Sequence, residues 1–183
     1  MGIINRKYGR SAKRRYPDPG RVHGVVAVDL GKRKAGVAVG WVNEVGGTSM
    51  TSCTTVHEPT GDPKLMARNI AEHVSWATYR WNENGVHPLI WVCEWPLKYK
   101  WDPAKHENIE SLQAVGRLLN WDEKYEPAEW KGQVKKDAHH KRIKKRLTVL
   151  EYEFMPPLAE HDAWDAAGIW CFAVGRSKRG GVK

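Results

Sequence analysis

Val25-Val26-Ala27-Val28-Asp29-Leu30-Gly31, continuing as Lys32-Arg33-Lys34-Ala35-Gly36-Val37-Ala38-Val39-Gly40-Trp41, is the stretch on which the reading of this chain turns. It opens as a run of small and β-branched residues with no polar interruption, the pattern of a strand buried on both faces. A carboxylate closes the run. Then come a glycine, three basic residues and a second apolar run, which predicts a hairpin turning on residues 30–35 with Asp29 at the rim of a rigid core. An acid at a strand end is most often a turn former or a cap, but here the pattern recurs. Leu89-Ile90-Trp91-Val92-Cys93 is a second apolar run, and Glu94 closes it. Asp162 and Asp165 follow three residues apart in a segment of helical period.

The chain has 183 residues, 41% of them hydrophobic and 28% charged, which is the size and make-up of one globular domain with a real core. No apolar run has the length of a membrane span, and the first residues lack the apolar region of a signal peptide. Cys53, Cys93 and Cys171 are odd in number and sit in apolar surroundings, so buried thiols in a reducing cytoplasm are expected. The net charge of +9 is unevenly spread. Residues 1–21, 131–146 and 176–183 together carry +17, which leaves −8 for the rest. An acidic body with three basic patches fits a polyanion binder whose own centre is acidic. The plainer alternative is a solvated basic helix and two flexible tails.

Residues 1–21 lack periodicity and are expected to be a disordered basic arm. The domain proper spans 22–175, with a basic tail at 176–183. Strands are predicted at about 22–30, 35–42 and 49–57, linked by hairpins. Asp62-Pro63 starts a helix as a capping side chain followed by proline, and Met66, Ile70, Val74, Ala77 and Trp81 form its apolar stripe. A helix between two buried strands is the crossover that lets them lie parallel, so 89–94 should run parallel to 22–30. A second helix is expected over 108–121, an edge strand over 125–130, a basic helix over 135–146, an extended segment over 148–154 and a last helix over 158–174. Trp76, Trp81, Trp91 and Trp170 are expected in the core. The fold class is therefore α/β: a mixed five-stranded sheet, three antiparallel strands then parallel ones, flanked by helices.

In the last helix Leu158, Asp162, Asp165, Ile169 and Phe172 share one face. That face packs on the sheet, where unpaired carboxylates are costly. Lys or Arg partners, or a cation, must compensate; the bland arrangement has Asp162 capping the helix and Asp165 meeting a rim arginine. If Asp29, Glu94, Asp162 and Asp165 converge they offer only hard oxygen ligands, which suits Mg²⁺ or Mn²⁺ and not zinc. Two such cations can activate water and stabilise the leaving oxygen of a phosphodiester. His161 is a candidate for proton transfer or an outer role, and His139-His140 reads as phosphate-facing or solvated.

Asp29-Leu30-Gly31 at the end of the first strand, the apolar strand closed by Glu94, and His161-Asp162-Ala163-Trp164-Asp165-Ala166 near the C-terminus resemble the RuvC-type Holliday-junction resolvases of the RNase H-like superfamily. Pro127-Ala128-Glu129-Trp130-Lys131-Gly132, with Lys135 and Lys141-Arg142-Ile143 beyond it, is similar to the basic phosphate-contacting stretch of that family. The resemblance is greater to phage versions than to cellular ones, and it covers residues 22–175. It implies an RNase H-like fold, a homodimer in the (host) cytoplasm, and Mg²⁺-dependent paired nicking of four-way DNA junctions. Asp29, Glu94, Asp162 and Asp165 would be the metal-binding catalytic acids, and Lys131, Lys135, Lys141 and Arg142 would contact DNA. Where bacterial relatives carry a base-stacking phenylalanine three residues past the glutamate, this chain has Leu97; Tyr99 or Trp101 would take that role. The glycine-rich turn of cellular relatives is replaced by residues 133–140. The rival readings are an RNase H-like nuclease acting on RNA–DNA hybrids or flaps, and a non-catalytic junction-binding protein. A sugar-kinase or actin-like ATPase also opens with such a hairpin, but needs a second phosphate motif and a chain about twice the usual domain size.

Overall fold

The computed structural model describes residues 22–81, 86, 89–97, 105–132, 134–158 and 160–176. β1 (His23–Asp29) and β2 (Lys34–Val42) form the expected hairpin, with Asp29 opposite Gly36. β3 (Thr48–His57) adds antiparallel to β2. The helix α1 (Pro63–Thr78) then crosses the sheet; the Asp62 carboxylate accepts the Lys64 N–H at 2.7 Å at its start. β4 (Leu89–Glu94) returns parallel to β1, and Glu94 lies directly beside Asp29 in the register. After α2 (His106–Arg117), a short β5 (Glu123–Tyr125) pairs parallel to β4, which completes the order β3-β2-β1-β4-β5. Four helices follow: α3 (Pro127–Trp130), α4 (Lys136–Lys144), α5 (Val149–Glu153) and α6 (His161–Ala173).

Strand period divides the core into two layers. Val26 and Val28 of β1 face α1, with Val37, Met66, Ile70 and Val74. Val25 and Ala27 face α6, with Ala38, Ile90, Val92 and Ile169. By the same alternation Asp29, Glu94 and Gly36 belong to the α6 side. α6 can reach that side because β2 is thin there. A Cβ added at Gly36 would lie 1.8 Å from the Asp162 carbonyl oxygen, and one at Gly40 would lie 2.5 Å from the Trp170 indole. The outward side of α6 is covered as well: a Cβ at Gly168 would lie 2.6 Å from Trp130 and 2.9 Å from Ile143. The helix is sandwiched, and Ala163 to Ala173 are buried throughout, as a helix apolar on all sides must be.

Several expectations need correction. The segment 148–154 is not extended; it forms α5, whose start is a reciprocal cap. The Thr148 hydroxyl accepts from Glu151 N at 3.2 Å, and Glu151 accepts from Thr148 N at 2.8 Å. The β-branched and apolar residues there imitate a strand, but Thr-x-x-Glu is a helix-start signal. The edge strand ends at Tyr125, two residues before Pro127 opens α3, where Glu129 caps the Glu126 N–H at 2.9 Å. α2 stops at Arg117, and Trp121, beyond its end, donates its indole N–H to the Gly116 carbonyl at 2.6 Å. α6 begins at His161, so Leu158 lies outside it and is exposed. Trp76 is 70% exposed because it falls off the stripe of Met66, Ile70 and Val74. The three cysteines are free and buried, as expected. Among the described residues no helix is long and apolar enough to cross a membrane. The arm 1–21 and the tail from residue 177 lie outside the described residues.

Candidate active site

The sheet brings Asp29 and Glu94 side by side at the C-terminal ends of two adjacent parallel strands. α6 lies across β2 and lowers Asp162 and Asp165 onto the same corner, its first turn resting on Gly36. Asp165 is buried, and Asp29, Glu94 and Asp162 are partly buried. The electrostatics report the same convergence. Burial first, then Glu94, Asp165 and Asp162 in turn, hold the Asp29 carboxyl well above the usual carboxylate range, with Lys131 pulling weakly the other way. Burial also pushes Glu94 up, against the pull of Lys131 and of the Trp130 indole N–H, which donates to Glu94 Oε2 at 2.8 Å.

Asp165 has partners of its own. Lys131 Nζ donates to Oδ2 at 2.9 Å, and His140 Nε2 lies 3.3 Å from Oδ1. His139 Nε2 stands 3.9 Å from the same oxygen, without a hydrogen bond. Burial lowers the His139 pKa to about 4 despite the opposing pull of Asp165, so this imidazole is neutral at pH 7. Its ring meets Trp130 edge-on at 4.9 Å between centroids. His161 is exposed, and its ring stacks on His140 at 5.3 Å.

Of the four acids named from the sequence, Asp29 and Glu94 are neighbours in the sheet, Asp165 and Asp162 of α6 lie near enough to raise the Asp29 carboxyl, and Lys131 pairs with Asp165. Lys135, Lys141 and Arg142 do not; they are exposed, Lys135 at the start of α4 and the other two along it. Tyr99 and Trp101 lie outside the described residues. His139 and His140 correct the expectation of a phosphate-facing or solvated pair: they are 2% and 5% exposed and point inward with Ile143. The signal was in the sequence, since His139 and Ile143 are four apart and His140 and Ile143 three apart, while Lys141, Arg142 and Lys144 fall on the other side. Trp130 was the other residue missed. Asp29, Glu94, Asp162 and Asp165 present oxygen donors only, the chemistry of Mg²⁺ and Mn²⁺ sites. As the side chains stand, no three His, Cys, Asp or Glu among the described residues are grouped to hold a metal ion; one carboxylate oxygen of Asp165 is engaged by Lys131 instead.

The architecture is similar to that of solved RuvC structures. One is T. thermophilus RuvC in complex with a Holliday junction substrate, at 15% identity and a TM-score of 0.56. A second is a Thermus thermophilus RuvC structure, at 17% identity and a TM-score of 0.50. Each comparison covers 85% of this chain and 99% of the other. No family model and no curated protein matches the sequence. The chain has a RuvC-like, RNase H-like fold: an α/β architecture on a mixed five-stranded sheet.

Proposed function

We propose that this protein is a metal-dependent endonuclease that resolves four-way DNA junctions. The observation that carries the reading is the pairing of Asp29 with Glu94 at adjacent strand ends of a RuvC-like fold, with Asp162 and Asp165 near enough to raise the Asp29 carboxyl. The partly buried Asp29 and Glu94 carboxyls are held above their usual range although Lys131 pulls both down, a condition that a divalent cation would relieve. The four acids would hold Mg²⁺ or Mn²⁺, two per site. When bound, the cations supply an activated water and charge stabilisation for the leaving oxygen of the phosphodiester. Trp130 keeps Glu94 oriented through its indole N–H. Lys131 neutralises Asp165 until a phosphate or a cation competes for that position. The exposed Lys135, Lys141 and Arg142 hold backbone phosphates on either side of the cut, contacts that position the duplex without reading its sequence. Paired nicks in a symmetric junction call for two such sites, hence a homodimer. The RuvC solved with a Holliday junction substrate supports branched DNA as the partner.

The test is cleavage of a labelled four-way junction beside linear duplex, a flap and an RNA–DNA hybrid, with Mg²⁺ and with EDTA. Symmetric nicks confined to the junction are expected. Asp29→Asn is expected to lower the rate about 10³-fold or more, the loss of several kcal/mol of metal-borne stabilisation, while junction binding persists. Cutting of the hybrid or flap in preference to the junction would contradict the junction assignment, and no metal-dependent cutting at all would contradict the nuclease.

A further inference from the structure

The buried face of α4 is built from His139, His140 and Ile143. A helix that had only to pack would place apolar side chains at the first two positions, at lower desolvation cost. Instead it buries two imidazoles side by side, and the Nε2 of His139 has no hydrogen-bond partner. An unsatisfied buried polar atom costs about 1–3 kcal/mol, so packing alone does not account for the pair.

Both Nε2 atoms lie near Asp165 Oδ1, at 3.9 Å from His139 and 3.3 Å from His140, but the two imidazoles make different further contacts. His140 Nε2 reaches Asp165 Oδ1 at 3.3 Å, and since that oxygen accepts, the proton belongs on Nε2. The His140 ring is fixed by His161 stacked on it at 5.3 Å and by Trp164 at 5.8 Å. His139 packs edge-on against Trp130, and the Trp130 N–H holds Glu94 Oε2 at 2.8 Å. Glu94 comes from β4 and Asp165 from α6, and these two contacts tie both to adjacent residues of one short helix.

We infer that His139 and His140 are a positioning pair: a dihistidine brace on α4 that holds Asp165 directly, and Glu94 through Trp130, at the corner where a hard cation would bind. The inference rests on the proposed metal-dependent function and adds to it a role for residues that touch neither DNA nor cation. Outer partners of this kind are worth about 10–100-fold in metal affinity or activity. The brace also explains why a strongly basic helix turns histidine inward: α4 presents Lys141, Arg142 and Lys144 to solvent and the brace to the acids.

The experiment measures Mn²⁺ affinity of the DNA-free protein by electron paramagnetic resonance, together with the Mg²⁺ concentration for half-maximal junction cleavage. His140→Leu is expected to weaken both about 10–100-fold. His140→Gln, whose amide N–H can reach Asp165, is expected to restore most of the loss. Trp130→Phe keeps the ring against His139 and Gly168 but removes the donor to Glu94; it should weaken Mn²⁺ binding as well, and serves if His140→Leu does not fold. Wild-type affinity in both His140→Leu and Trp130→Phe overturns the brace. So does a His140→Gln variant as impaired as His140→Leu, which would mean ring packing and not the hydrogen bond. Wild-type protein that binds no Mn²⁺ and cuts no junction overturns the proposed function itself, whereas a wild type that does both, with unaffected variants, overturns the brace alone.

Discussion

Glu151 and Asp29 are two carboxylates enclosed by the same small domain, and their surroundings treat them in opposite ways. Glu151 is 1% exposed, yet it accepts Met50 N at 2.7 Å and Thr148 N at 2.8 Å and pairs with Arg176 at 2.6 Å. Burial pushes its carboxyl up, but Arg176 and the two backbone donors outweigh it, and the net shift is downward. Arg176 also bonds the Thr48 carbonyl and hydroxyl, so this cluster ties α5 and the chain after α6 to the start of β3. Asp29 has the reverse environment: burial and three neighbouring acids, with Lys131 as the weaker counterweight. One site has donors and a cation that outweigh burial; at the other, burial and neighbouring acids outweigh Lys131. A fold that satisfies Glu151 so fully can satisfy a buried acid. Among the described residues Asp29 has no such set of donors, and the proposed cation would supply the missing charge.

The comparison can be broken by substitution. The largest expected effect on stability is at the Glu151 site. Arg176→Ala leaves Glu151 buried without its cation and should cost about 3 kcal/mol, read from urea denaturation. A neutral result would mean that the Glu151 cluster is no more satisfied than the Asp29 corner.

The next effect is in the pH dependence. The folded chain holds the Asp29 proton more tightly than the unfolded chain does, so without metal the protein loses stability as pH rises from the usual carboxylate range through the raised pKa. Glu151 acts with the opposite sign: its stabilisation is present above the unfolded pKa and fades as pH falls through the lowered folded value. The gap in Tm between Asp29→Asn and wild type, in EDTA, should therefore widen as pH is raised from 4 to about 8. A gap that stays flat would contradict the assigned direction.

The smallest effect sharpens the role of Lys131, which pairs with Asp165 at the corner. Lys131→Ala should weaken DNA binding alike across sequences and flatten the salt slope by about 1. A sequence-selective loss would mean that Lys131 reads bases.

Much of this was legible in the sequence, for identifiable reasons. The strands around Asp29 and Glu94 are uninterrupted apolar runs, each closed by its acid, so both acids were legible as strand-end residues. Asp162 and Asp165 were legible as neighbours because a three-residue spacing fixes them on one side of a helix. What the sequence hid was context from distant residues. Thr148-Val149-Leu150 looks like a strand until Glu151 is seen capping back onto Thr148 and reaching Met50 across the fold. His139 and His140 look like part of a solvated basic helix until Trp130 and Asp165 close over them. The thinness of β2 at Gly36 and Gly40 has meaning only once α6 lies on it.

The most direct test of an acid corner built for a cation is thermal unfolding of wild type and Asp29→Asn at about pH 8, in EDTA and then in Mg²⁺. In EDTA the variant should be the more stable, because it no longer carries a carboxyl that burial and three neighbouring acids hold above its usual range. Mg²⁺ should raise the Tm of wild type and leave the variant nearly unmoved, since an ion that binds only the folded site stabilises by mass action. A variant less stable than wild type in EDTA, together with a wild type indifferent to Mg²⁺, would make Asp29 an ordinary structural acid and contradict the account.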